Sequence, residues 1–188
     1  MDLEKYGKFL SDGKIDEDNA MKIIETTIGG KCYPVSKDID ITCHTDFLWE
    51  SPKGYLCSVD KKMQKKLSRG DDNKSNTMTW IELVNNSGLP GSATCQVENL
   101  AKYNITVSEA HDYLMLETNI DYLFLQRKKL TDFLYDKVDM GKVVYENPRK
   151  PYIPYQRKKY GHKDINVLTP NEDLEKIAHF TITKTNEI

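Results

Sequence analysis

Thr45-Asp46-Phe47-Leu48-Trp49, then Glu50-Ser51-Pro52-Lys53-Gly54, then Tyr55-Leu56-Cys57-Ser58-Val59-Asp60-Lys61-Lys62 is the stretch that decides the fold. Two apolar-rich runs flank a segment that carries the Pro and Gly of a turn between strands. The pattern predicts a hairpin with its turn centred near Lys53. Antiparallel partners then sit symmetrically about that centre, so Asp46 faces Asp60 and His44 faces Lys62. Side chains alternate along a strand and directly paired residues share a face, so the hairpin gathers Asp46, Asp60 and Lys62 into one patch.

Two carboxylates directly opposed across a ladder repel each other. A hard divalent cation turns that repulsion into attraction, because Mg²⁺ prefers carboxylate oxygens and waters. Such an ion lowers the pKa of a bound water and polarises a phosphoryl oxygen, with Lys62 steadying the charge that develops. The alternative reading is an exposed hairpin carrying solvated charges. An Asp followed later by Asp-x-Lys, here Asp46 and Asp60-Lys61-Lys62, resembles the signature of the PD-(D/E)XK, or restriction-endonuclease-like, nucleases.

The chain has 188 residues, enough for one domain with a real core. Its 38% hydrophobic and 30% charged residues are ordinary for a globular protein and argue against wholesale disorder. A formal net charge of -2 gives no global attraction to nucleic acid, so such binding must rest on local patches. Met1-Asp2-Leu3-Glu4-Lys5 has no apolar core of a signal peptide, and no apolar run reaches the length of a membrane span. Cys32, Cys43, Cys57 and Cys95 form no Cys-x-x-Cys pair and read as reduced, packed thiols. These features predict a cytoplasmic protein with no membrane partner.

Leu3, Tyr6, Phe9 and Leu10 fall at helical spacing before Gly13, and Ala20, Ile23, Ile24, Thr27 and Ile28 repeat the pattern. Acidic Asp16, Glu17 and Asp18 occupy the first turn of that second helix and Gly29-Gly30 stops it. Such a helix could carry Glu17 or Glu25 toward a metal site, but the simpler reading of both is a surface charge. Beyond Pro34 the period becomes two, with Asp38, Asp40, Thr42, His44 and Asp46 on one face. Asp38 and Asp40 rival Asp46 as the first carboxylate, but they lie opposite residues beyond the Asp60–Lys62 pair. Lys61, Lys62, Lys65, Lys66 and Arg69 form a basic run leaving the strand, where a phosphate backbone would need cations. Thr77 to Val84 reads as a third strand, with Glu82 inside an otherwise apolar run. A carboxylate there needs a partner such as a metal or Lys62, unless that face is exposed.

The order His44-Thr45-Asp46, Val59-Asp60-Lys61-Lys62, Trp80-Ile81-Glu82-Leu83-Val84-Asn85 and Gly88-Leu89-Pro90-Gly91 is similar to a group of small, often phage-encoded PD-(D/E)XK nuclease-like proteins. The similarity continues through Asp112–Glu117 and Tyr122–Leu130, covering about residues 44 to 135, with a fainter echo at Tyr160–Asp164. Ser92-Ala93-Thr94-Cys95 stands where the group has Trp-Leu-Tyr-Gly, and an apparent insertion spans roughly Gln96 to Glu109. The resemblance implies an α/β fold with a restriction-endonuclease-like core, a central mixed β-sheet flanked by helices. That sheet would be built on the hairpin together with the Glu82 strand.

Residues 111–117 and 119–126 fit strands, and Leu130, Phe133, Leu134 and Val138 make a helical stripe behind Arg127-Lys128-Lys129. Residues 139–163 form a basic, Pro- and Tyr-rich loop, in which Tyr152, Tyr155, Arg157, Lys158, Lys159, Tyr160 and Lys163 suit base stacking and phosphate tracking. A solvated surface loop is the alternative. Asp164 to Leu168 reads as a strand, Thr169 to Asp173 opens a helix, and Phe180 to Thr183 forms a last strand.

The resulting expectation is one nuclease-like domain, with N-terminal helices over 1–30, a catalytic core over 38–135 and C-terminal elements over 164–188. It is a Mg²⁺- or Mn²⁺-dependent enzyme that hydrolyses phosphodiester bonds, with DNA preferred to RNA and endonuclease action preferred. Asp46 and Asp60 would bind the metal, Glu82 is the candidate third carboxylate, and Lys62 completes the catalytic set. Lys65, Lys66, Arg69, Arg157, Lys158 and Lys159 would hold the backbone, and two-strand cutting in the superfamily implies a homodimer. The competing class is a catalytically inactive nuclease-fold protein that binds nucleic acid or a host or defence protein.

Overall fold

The computed structural model describes residues 3–36, 45–64, 75, 77–84, 112–146, 148–156 and 164–184. The chain opens with one helix, α1 (Leu3–Thr27), that runs straight through Gly13, where the sequence predicts a division into two. An interior glycine costs only about 1 kcal/mol relative to alanine. Tertiary anchoring overrides that: Ala20 and Ile24 are buried beneath the sheet, and Asp16 pairs with Lys61. The helix ends where Gly29 and Gly30 take φ of 88° and 87°, a conformation glycine adopts without steric cost.

Strand β1 (Lys31–Pro34) follows at once, pairing antiparallel with β2 (Phe47–Glu50). The sequence pattern places strand structure only after Pro34. A four-residue strand ending on proline is too short for periodicity to reveal, and its edge position lets Pro34 lack a donor. The hairpin of β2 and β3 (Leu56–Lys62) turns about Lys53, as the sequence predicts, with Phe47 paired to Val59 and Trp49 to Cys57. Its turn is closed by the Gly54 N–H on the Ser51 carbonyl at 2.8 Å.

The larger sheet has the order β1-β2-β3-β5-β6-β9, with β5 at Tyr113–Glu117, β6 at Asp121–Gln126 and β9 at Phe180–Thr183. Strands β3 and β5 are parallel and the other pairs antiparallel, so the sheet is mixed. The Glu82 strand, β4 (Met78–Val84), is not in it. It pairs with β8 (Ile165–Pro170), which also pairs with the short β7 (Tyr155–Gln156), in a separate antiparallel sheet. The expectation of one sheet carrying hairpin and Glu82 strand together is therefore corrected. Both edges of β3 are already occupied, by β2 and β5.

Alternation along β5 and β6 builds two cores. Met115 and Phe124 join Phe47, Trp49, Val59 and Ile182 beneath Ala20 and Ile24 of α1. Leu114, Leu116, Leu123 and Leu125 face the other way, against α2 (Arg127–Tyr135), α3 (Asn171–Ile177) and the smaller sheet. Leu130 and Leu134 carry the expected stripe of α2 into this second core. The architecture is α/β, a mixed central sheet flanked by helices. Among the described residues no helix is long and apolar enough to cross a membrane.

Gly30 fixes how closely α1 approaches the hairpin. A Cβ there would lie 2.1 Å from the Glu50 carbonyl oxygen and 2.9 Å from the Trp49 indole nitrogen. Gly54 has φ of 80° but open space around it. Gly30→Ala is expected to lower stability by about 2–4 kcal/mol and Gly54→Ala by only about 1 kcal/mol, measured by urea unfolding.

Candidate functional site

Alternation along β3 sends Val59 and Lys61 toward α1 and Asp60 and Lys62 toward the opposite face, which they share with Leu114 and Leu116 of the neighbouring strand. Continuing the hairpin register by one residue places Asp46 across from Asp60. Two bonds hold it there: its N–H donates to the Val59 carbonyl at 2.9 Å, and its Oδ2 accepts the Lys61 N–H at 2.6 Å. Lys62 Nζ donates to Asp60 Oδ1 at 2.9 Å. The Asp60 side chain is 2% exposed and that of Lys62 26%. The structure thus brings Asp46, Asp60 and Lys62 together.

Their electrostatics follow from crowding. Burial, then the charge of Asp60, pushes the Asp46 carboxyl up to about 8, against the opposing pull of Lys62 and the Lys61 N–H. Glu17 adds to the upward push. Burial by itself would pull the Lys62 ammonium down. Asp60, Asp46, the hydrogen bond to Asp60 and Glu82 outweigh it and hold Lys62 above the ordinary lysine range. Lys62 is therefore a permanent cation at neutral pH.

Two carboxylates reach this group from other elements. Glu82 acts on Lys62 from the smaller sheet, where it lies opposite Asn166. Glu17 comes from α1, is half-buried, and its charge is felt at Asp46, so of the two readings the structure brings it toward the site. The available signal was its place beside Asp16, whose carboxylate pairs with the buried Lys61 ammonium. Lys61 also lies 3.5 Å from Glu117 Oε2, and Lys184 Nζ donates to Glu117 Oε1 at 2.8 Å. These pairs anchor α1 on the face behind the site.

Asp38, Asp40, His44, Lys65, Lys66, Arg69, Arg157, Lys158 and Lys159 lie outside the described residues, as do the Gly88–Gly91 turn and the 92–109 segment. Of the four cysteines, Cys32 and Cys57 are described, and both are free thiols. Burial pushes Cys32 up to about 12, and burial also raises Cys57.

Among the described residues no group of three His, Cys, Asp or Glu side chains is gathered closely enough to hold a metal ion. The chemistry of the Asp46–Asp60 pair still suits Mg²⁺, which keeps several waters and binds through one or two carboxylates. No protein-family model, no curated protein and no solved structure matches the chain.

The raised Asp46 carboxyl has a testable sign. Below about pH 4 both folded and unfolded chains hold the proton, so the group contributes no difference. Between there and about 8 the unfolded chain releases it while the folded chain keeps it, and stability falls as pH rises. Asp46→Asn mimics the protonated form and keeps an acceptor for the Lys61 N–H. Without metal, its stability advantage over wild type is expected to grow from near zero at pH ~4 to roughly 1–3 kcal/mol at pH ~9. Thermal or urea unfolding across that range checks it.

Proposed function

We propose that the protein is a metal-dependent nuclease that hydrolyses phosphodiester bonds, DNA in preference to RNA. The observation that carries this reading is the opposed Asp46 and Asp60 carboxylates with Lys62 bonded to Asp60. A fold has no structural need to set a half-buried carboxylate across from a buried one at this cost.

Asp46 and Asp60 would hold Mg²⁺ or Mn²⁺, which when bound supplies a Lewis acid for a phosphoryl oxygen and a more acidic water. Asp46 gives up its proton on loading. Lys62, kept charged by its three carboxylate neighbours, stabilises the negative charge that grows on the phosphoryl oxygens. Its raised pKa suits it to that role and not to taking a proton from water. Glu82 tunes Lys62 from the second sheet, and Glu17 adds negative charge beside Asp46. The lysines and arginines at 65, 66, 69 and 157–159 would track the phosphate backbone.

Cleavage of plasmid, linear duplex, single-stranded DNA and RNA is measured with Mg²⁺, Mn²⁺ or EDTA, for wild type, Asp60→Ala and Lys62→Ala. Metal-dependent cutting that falls roughly 10²–10³-fold in each variant is expected. A folded wild type that cuts none of these substrates overturns the reading. Binding of nucleic acid without cutting, or capture of a protein partner, would then point to an inactive relative of the fold.

A further inference from the structure

We propose that Glu82, Asp164 and Asn166 form a seat for a hard divalent cation, separate from the Asp46–Asp60 pair. Strand β8 is the central strand of the smaller sheet, so Asn166 has Glu82 directly across on one side and Tyr155 on the other. Paired residues share a face. Asp164 precedes Asn166 by two residues and accepts its Nδ2 on Oδ2 at 2.8 Å. Asp164 is thus bonded to Asn166, and Glu82 is the residue paired across from it.

Asn166 is the informative member. It is 5% exposed, and its Oδ1 is buried with no hydrogen-bond partner among the described residues. Turning the amide over would not help, since that would set Oδ1 against the Asp164 carboxylate in place of the N–H₂ donor. Asp164 therefore dictates which amide atom is left over, and it is an acceptor. Buried acceptors are nearly always satisfied, so this one points to an absent donor or cation.

The surroundings choose between these. The Asp164 carboxylate lies against the amide and Glu82 is its cross-strand partner, so two acidic residues flank the amide and favour a cation over a phosphate. Carboxylate and amide carbonyl oxygens together are the ligand set of Ca²⁺ and Mg²⁺. The β4 ladder also shifts register between Glu82 and Val84, a bulge of the kind that re-aims a side chain. The seat belongs to the smaller sheet and does not require that the chain cleave nucleic acid.

The test is a Mn²⁺ titration of the full chain followed by electron paramagnetic resonance, which counts bound ions. Wild type is compared with Asn166→Leu, Asn166→Asp and Asp60→Asn, each checked for folding by thermal melting. Asn166→Leu keeps the volume but removes the oxygen, and is expected to weaken one ion by about tenfold or more. Asn166→Asp is expected to bind that ion more tightly than wild type. Asp60→Asn should leave it in place, so any ion lost in that variant reports on the Asp46–Asp60 pair alone. Unchanged Mn²⁺ binding in Asn166→Leu, with or without a higher melting temperature, overturns the proposal. So does a single ion lost both in Asp60→Asn and in Asn166→Leu, which would mean one shared site. Should Asn166→Leu fail to fold, Asn166→Asp decides, and binding no tighter than wild type overturns the seat.

Discussion

Lys61 is the point at which helix, hairpin and parallel strand are tied together. Its ammonium, buried behind the sheet, pairs with Asp16 of α1 and lies near Glu117 of β5, while its backbone N–H grips the Asp46 carboxylate. Burying an ammonium is expensive unless opposite charge comes with it. The lysine therefore demands that α1 lie across the sheet with Asp16 over β3, and it demands β5 at the adjacent edge. Removing its side chain would leave Asp16 and Glu117 facing each other without the cation between them. Because Asp16 is fixed in this way, Glu17 is carried toward Asp46, so the same contact that docks the helix also shapes the site.

The alternation of β3 separates those two duties. Val59 and Lys61 serve the α1 face, whereas Asp60 and Lys62 occupy the face that continues into Leu114 and Leu116. On that face an apolar core runs up to a charged cluster with no intervening turn. Such a boundary is tolerable because the buried Asp60 carboxylate has the Lys62 ammonium against it. Lys62 bonds Asp60, and burial, then the charge of Asp60, pushes the Asp46 carboxyl up toward its neutral form. The parallel pairing of β3 with β5 makes this an interior strand, so its carboxylate cannot relax toward water as it could at an edge.

Local grammar made the hairpin legible. Pro52 and Gly54 mark the turn, and a period of two about Lys53 suffices to place Asp46, Asp60 and Lys62 together. What stayed hidden depends on contacts between distant parts of the chain. Glu17 looks like any first-turn acid until the helix is docked, and docking is decided by Lys61 more than forty residues later. The sheet that β4 joins is decided by competition for the edge of β3, which β5 wins with residues 113–117. Gly13 reads as a break because its cost is local, while the packing that offsets it is not. Asn166 sits in a segment recognisable as a strand, yet nothing local tells that Glu82 will be its partner across the ladder.

Lys62 then stands between two groups of carboxylates, Asp46 and Asp60 on its own sheet and Glu82 from the other. One ammonium against those acids, with Glu17 close by, leaves the cluster negative even while Asp46 keeps its proton. A phosphate would be repelled from such a surface if it met these side chains alone. On the proposed reading a cation is therefore needed for binding as well as for chemistry, since it must reverse the sign of the site before a phosphodiester can enter. The lysine cannot take that part, because its charge is already committed to Asp60 at 2.9 Å. On that reading its contribution would be to keep the carboxylates in place before an ion binds, and afterwards to share the charge of the phosphoryl group.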